Sequence, residues 1–266
     1  MASLYHAAAG INRLEQLAMQ DSPVHRLHPM AKLIVTFFYV VTIVSFPPED
    51  ISGIIPFLLY PAVMMPLSGT PYRPLLQRLM FALPFSLMGG ISNLIAVRGV
   101  AFYIGSFVVS QGMVSFVSIM LKTLLSVFAV LILIASTSFV EISCQLTILR
   151  IPKIICLQLV MTYRYLSILI SETASMLTAY SFRGPNQKGI KMKDMGSFAG
   201  RLILRSFDRA ERVYQAMKCR GFNGIYYGRK HGGFRLSDGI FIALMTLLVI
   251  FLRFFNLSLF FGRLAG

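Results

Sequence analysis

Five stretches of this chain stay apolar for close to the thickness of a lipid bilayer, and nothing else in the sequence limits its fold as strongly. They run Ala31–Phe46, Ile51–Leu67, Leu79–Val97, Met113–Ser136 and Gly239–Phe255. A helix rises about 1.5 Å per residue and needs roughly 20 apolar residues to cross the hydrocarbon. The first two stretches are short, so they are expected to tilt little or to pair tightly around the acidic turn Pro47-Pro48-Glu49-Asp50. Composition agrees: 56% of residues are hydrophobic and 13% charged, against about 25% charged in soluble domains. A soluble fold is excluded. Three cysteines, Cys144, Cys156 and Cys219, without CxxC or Cys/His spacing, also leave no disulfide scaffold or structural zinc site to expect.

For so apolar a chain the net charge of +15 is large, and its location carries information. Met1–Leu149 holds 7 basic and 5 acidic residues, Arg150–Arg235 holds 16 and 4, and Leu236–Gly266 holds 2 and 1. One block therefore carries most of the excess. Lys/Arg-rich segments between spans lie on the cytoplasmic side, and such a block also attracts anionic headgroups of membrane lipid. Nucleic acid is not expected as a partner, because the block is set between membrane spans.

Ile151–Ile170 is apolar apart from Lys153 and Arg164 and has the length of a further span. A crossing there would put Arg183–Arg235 on the opposite side from Arg13, Arg26, Lys32, Arg73 and Arg78. The segment is therefore read as a helix at the cytoplasmic boundary. The expected topology has five spans, the N-terminus inside and the C-terminus outside, in a cell inner (plasma) membrane. No apolar signal-peptide core shows in Met1–Pro29, so insertion is expected to use the first span. The expected parts are a segment with a four-span bundle (1–137), a basic cytoplasmic region (138–236) and a last transmembrane helix (237–266). Arg98–Ser110, β-branched, aromatic and broken by glycine, is expected as a short extracellular hairpin. Lys122, alone inside the fourth span, is expected to pair structurally rather than to mark a transport path.

Two long helices are expected in the basic region. The first runs from about Pro152 to Phe182 and stops at Phe182-Arg183-Gly184-Pro185; the second starts near Asp194, as N-cap, and stops at Cys219-Arg220-Gly221. Ile203, Phe207, Ala210, Tyr214 and Met217 recur every three or four residues and form one apolar stripe. Both helices end in x-Arg-Gly. A glycine there ends a helix in the left-handed conformation, and a cation complements the dipole, so one such ending is ordinary capping. A pair of them presents two guanidinium forks, each able to lock onto a carboxylate as lysine cannot.

With these endings, the stretch Arg209-Ala210-Glu211-Arg212-Val213-Tyr214-Gln215-Ala216-Met217-Lys218-Cys219-Arg220-Gly221-Phe222 and the N-terminal Ser22-Pro23-Val24-His25-Arg26-Leu27-His28-Pro29-Met30-Ala31-Lys32-Leu33 resemble the transmembrane (T) component of energy-coupling factor importers. With Ile11-Asn12-Arg13-Leu14-Glu15 ahead of it, the chain is most similar to the cobalt-type member, CbiQ. The resemblance implies an all-α integral membrane protein with cytoplasmic coupling helices. It also implies two cytoplasmic ATPase subunits that hold ATP and Mg2+, and a separate membrane subunit that captures cobalt or nickel. The coupling residues implied are Arg183, Gly184, Arg220 and Gly221, supported by the stripe of Ile203 to Met217. The alanine that the family places before each Arg-Gly is replaced by Phe182 and Cys219, which alters packing there and leaves Arg and Gly in place.

The sequence contains no GxxxxGK[ST], HExxH or GxSxG, so neither a phosphate-cradling loop nor a catalytic constellation is expected. His6, His25, His28 and His231 could tempt a metal reading, but Pro23 and Pro29 flank the central pair and capping is the expected role. Three alternatives remain at this point: a vitamin-type T component, an integral-membrane enzyme acting on lipid, which needs clustered His, Asp or Glu near the interface, and a secondary transporter. The last needs a mid-membrane site and internal repeats, for which Lys122 alone is too little.

Overall fold

The computed structural model describes residues 22–48, 50–96, 100–104, 107–183, 190–224 and 233–254. Gly184, His6, His231, Glu49, Arg13 and the Ile11–Glu15 stretch lie outside them. The chain divides into two compact units, one from Phe139–Lys230 and one from Leu17–Ser138 with His231–Gly266.

In the second of these units the helices are α1 (Pro29–Val44), α2 (Ile51–Ile54), a 3-10 turn (Ile55–Leu58), α3 (Leu59–Ser68), α4 (Tyr72–Ala96), α5 (Gln111–Ser136) and, far along the chain, α9 (Leu236–Phe254). Between α4 and α5, β1 (Val100–Ile104) and β2 (Phe107–Ser110) form the expected hairpin, with Tyr103 opposite Val108. The other unit contains α6 (Phe139–Gln145), α7 (Lys153–Arg183) and α8 (Met192–Cys219).

Among the described residues, five helical segments are long and apolar enough to cross a membrane: Ile51–Ser68, Pro74–Leu94, Gln111–Ser136, Lys153–Arg183 and Leu236–Phe254. Four coincide with the expected spans. The set differs from the sequence reading in one pair: Pro29–Val44 is only 16 residues long, about 24 Å, and Lys153–Arg183 meets the length. The protein is a multi-pass helical membrane protein.

Prolines break the second span into pieces. Pro61 has no N–H to give the carbonyl four residues back, which is that of Phe57, and the Tyr39 hydroxyl donates to this oxygen instead at 2.8 Å. Tyr39 is fully buried, stacks on Tyr60 with ring centres 4.3 Å apart and so fastens α1 to the irregular stretch. The core of the unit is continuous through Tyr39, Ile43, Phe57, Leu125, Ile132 and Val249.

Polar contacts fix the register of α1. The buried Lys32 donates from Nζ to the Ser136 carbonyl at 2.7 Å, and Lys122 donates to the Phe46 carbonyl at 2.7 Å and to that of Pro47 at 3.2 Å. Residue numbers fall on α5 as they rise on α1, so these helices are antiparallel. His28 N–H donates to Asp238 Oδ1 at 2.9 Å, while Arg253 lies 4.0 Å over the Phe46 ring, so α1 and α9 are parallel. Lys122 thus has the structural role expected of it, closing the carbonyl end of α1. The end of α5 and the start of α9 therefore sit at the same end of this bundle.

Gly90 brings α4 close to α5. A Cβ there would sit 2.6 Å from Cδ2 of Phe116, inside contact distance, so the ring must move. We expect Gly90→Ala to destabilise the bundle by about 1–3 kcal/mol, and Phe116→Leu to recover part of that loss in the double variant. Thermal unfolding in detergent checks this; strictly additive losses would contradict it.

Candidate functional site

The expected pair of long basic helices is present as α7 and α8. α7 starts at Lys153 and ends at Arg183. α8 starts three residues earlier than expected: Lys191 is its N-cap and Asp194 lies in its first turn. Asp194 is not the cap because its carboxylate is engaged elsewhere, Oδ2 accepting from the Tyr180 hydroxyl at 2.6 Å. That hydroxyl oxygen in turn accepts from Lys191 N–H at 3.4 Å.

A second tie lies further along. Glu172 faces two arginines, Oε1 taking Arg205 Nη1 at 3.1 Å and Oε2 taking Arg209 Nη2 at 3.4 Å. Tyr180 meets Asp194 and Glu172 meets Arg205 and Arg209, so the helices run in opposite senses. Glu172 is well covered, whereas the Arg205 side chain is 58% exposed, so the cluster is worth less than a buried pair. Glu172 is the lone carboxylate of α7, a signal in the sequence that went unread.

The antiparallel arrangement places the two x-Arg-Gly endings at opposite ends of α8. Arg183, with Tyr180, Asp194, Ser197 and Phe198, lines a cleft against the first turns of α8. Arg220 caps its far end. α8 has 28 residues, so the two guanidinium groups are separated by about 40 Å along it. Both side chains are exposed.

The ending at Arg220 is built by backbone geometry. Gly221 N–H donates to Lys218 O at 2.9 Å and Phe222 N–H to Met217 O at 3.0 Å, the paired bonds of a Schellman cap. Gly221 has φ +79°, which an L side chain rarely adopts. The glycine ends the helix and leaves Arg220 as its last outward-pointing residue. The lysine before it, Lys218, lies over the Tyr214 ring at 5.4 Å.

Of the apolar stripe, Ile203, Phe207, Ala210 and Tyr214 are exposed and Met217 is half-buried. No residue of α8 is buried, and Phe207 is 69% exposed. The side of α8 nearer α7 is another one, carrying Asp194, Phe198, Arg205 and Arg209. Periodicity found the apolar face, and among the described residues nothing buries it.

The histidines of the N-terminal stretch bind backbone. The His25 ring lies within hydrogen-bond reach of Ser22 Oγ through Nδ1, at 2.7 Å, and of the Ala135 carbonyl through Nε2, at 3.3 Å. His28 Nδ1 accepts from Met30 N–H at 3.3 Å as the N-cap of α1. Among the described residues no group of three His, Cys, Asp or Glu is placed to hold a metal ion.

The fold and this region define the class as a multi-pass helical membrane protein with a long basic, antiparallel helical pair. The chain belongs to the CbiQ family of cobalt transport proteins, whose sequence model matches residues 20–231. It is also 28% identical over 132 residues, 47% of this chain, to the uncharacterized protein MJ1571 of Methanocaldococcus jannaschii, and the match spans 45% of that protein.

Replacing Gly221 by Ala puts a Cβ on a left-handed residue, at a cost of about 1 kcal/mol. Hydrogen exchange should then quicken at the Gly221 and Phe222 amides, whereas Arg220→Ala should leave both protected. Equal fraying in the two variants would show that the guanidinium itself holds the cap.

Proposed function

We propose that this chain is the transmembrane coupling subunit of an ATP-driven importer of the energy-coupling factor type. It passes the motion of two cytoplasmic ATPase subunits to a separate membrane subunit that captures cobalt or nickel ions. The observation that carries this reading is the placement of exposed Arg183 and Arg220 at opposite ends of one helix, about 40 Å apart and able to enter two separate subunits. A groove lined by carboxylates would take each fork bidentately. Gly221 ends α8 so that Arg220 leads, and Gly184, outside the described residues, is assigned the same part after Arg183 by the family resemblance. The exposed stripe of Ile203, Phe207, Ala210 and Tyr214, with Met217 beside it, supplies an apolar face to the same partners. The family supports cobalt as the cargo.

ATP and Mg2+ are held by the ATPase partners, since the sequence has no phosphate loop, and the chain is a non-catalytic subunit. The basic region begins and returns at one end of the bundle, and α8, with Arg201, Arg205, Arg209, Arg212 and Lys218, is too charged to cross a bilayer. An even number of crossings then keeps α7 out of a full crossing as well. With positive charge inside, α1 enters from the cytoplasm and α9 leaves to the outside.

Either Arg→Ala change should lower metal uptake strongly, by the equivalent of about 2–5 kcal/mol where the pair is desolvated. The double change should detach the ATPases or uncouple hydrolysis from transport, and Arg→Lys should restore only part. Co-purification and radioactive cobalt or nickel uptake, at matched membrane levels, test this. Normal assembly and uptake by Arg183→Ala, Arg220→Ala would sink the proposal.

Orientation has its own test. In a background lacking Cys144, Cys156 and Cys219, a cysteine at Asn186 or Gly232 should react only after permeabilisation, and one at Glu49 from outside. External labelling at Asn186 would overturn the topology.

A further inference from the structure

Where α9 begins, two neighbouring concavities meet at Arg235. The first is polar and is lined by Arg26, Arg235, His25, His28 and Asp238. The second is apolar and runs along the first two turns of α9 past Phe234, Leu236, Gly239, Ile240 and Ala243. Leu236, Gly239, Ile240 and Ala243 recur at helical spacing, so the groove follows the helix axis into the span.

The polar part is basic on balance. Its one carboxylate, Asp238, is 2% exposed, and its two oxygens accept from the backbone N–H groups of His28, at 2.9 Å, and Arg235, at 2.8 Å. That charge is turned inward and held by the backbone. Arg26 and Arg235 are exposed at the mouth, and two guanidinium groups there match a phosphate monoanion. A cationic mouth continuous with an apolar trough at the start of a span is complementary to one kind of molecule, in which a phosphate and a hydrocarbon chain are joined.

We infer that this is a binding site for one anionic phospholipid, its headgroup phosphate between Arg26 and Arg235 and an acyl chain along Gly239, Ile240 and Ala243. Arginines at a membrane surface attract anionic lipid, but the groove makes this a site rather than a diffuse attraction. The occupied site ties the turn before α1 to the start of α9.

The test uses the purified full chain in nanodiscs of phosphatidylcholine containing a minor fraction of phosphatidylglycerol. Native mass spectrometry reads the lipid retained and thermal unfolding reads its effect. Wild-type protein should retain phosphatidylglycerol preferentially and unfold at higher temperature with it. Arg26→Gln with Arg235→Gln should weaken retention roughly ten- to thirtyfold. Gly239→Leu, which fills the trough without changing charge, should also reduce it. Lys193→Gln with Arg212→Gln removes the same charge from exposed positions on α8 and should leave retention unchanged.

Inorganic phosphate alone is the arm that separates the two sources of this chemistry. If it raises the unfolding temperature as much as the lipid does and Gly239→Leu has no effect, the site binds free anions and the lipid inference fails. Equal retention of both lipids by the wild type, or equal loss in the α8 control, would overturn it as well.

Discussion

A helix that ends inside a membrane leaves carbonyls and N–H groups that water cannot reach, and each costs free energy unless another group closes it. The membrane unit is organised around that requirement. At one end of the bundle Lys32 of α1 closes the Ser136 carbonyl of α5, His25 reaches the Ala135 carbonyl, and Asp238 of α9 takes the N–H of His28. At the other end Lys122 of α5 closes the Phe46 and Pro47 carbonyls beyond α1, and Arg253 of α9 lies over the Phe46 ring. A 16-residue helix is too short to cross comfortably alone. Here each end finds its partners in two longer helices, so its length and register are set together.

The same chemistry explains why ionisable residues stand in apolar spans without marking a transport path. Lys32 and Lys122 each give their protons to carbonyls at 2.7 Å. Such cations act as substitutes for missing backbone donors, and Lys32 is costly to remove because the oxygen it leaves behind is buried. Tyr39 does the same for the Phe57 carbonyl, to which Pro61 can give no N–H. A site for passing cobalt would need ligands left open to an ion, and these groups are committed to the fold.

Four of the five spans, the hairpin before α5 and the two basic helices were legible in the sequence, because apolar length and 3.6-residue periodicity are local. The ending at Arg220 was legible for the same reason: glycine past the last helical residue has one common use, and Gly221 has it. What was not legible depended on pairing across the chain. Asp194 looked like an N-cap because acids favour that position, but the hydroxyl of Tyr180 competes for it, and the helix starts at Met192. The stripe from Ile203 to Met217 was read correctly as a face, while its exposure could not be read from periodicity, which gives the direction of a face and never its occupant. That the end of α5 and the start of α9 lie together needed the contacts of Lys32 and Asp238.

The division of labour within the chain follows from these differences. In the membrane unit the helix ends discussed above are closed by side chains from other helices, which suits a frame that must keep its shape. In the other unit the described ties between α7 and α8 are the Tyr180–Asp194 contact and the Glu172 cluster, and the far end of α8 is closed by its own backbone. Exposed ion pairs give way at little cost. The far end of α8 is closed differently: the Schellman cap at Gly221 is made by the helix's own backbone and does not depend on α7.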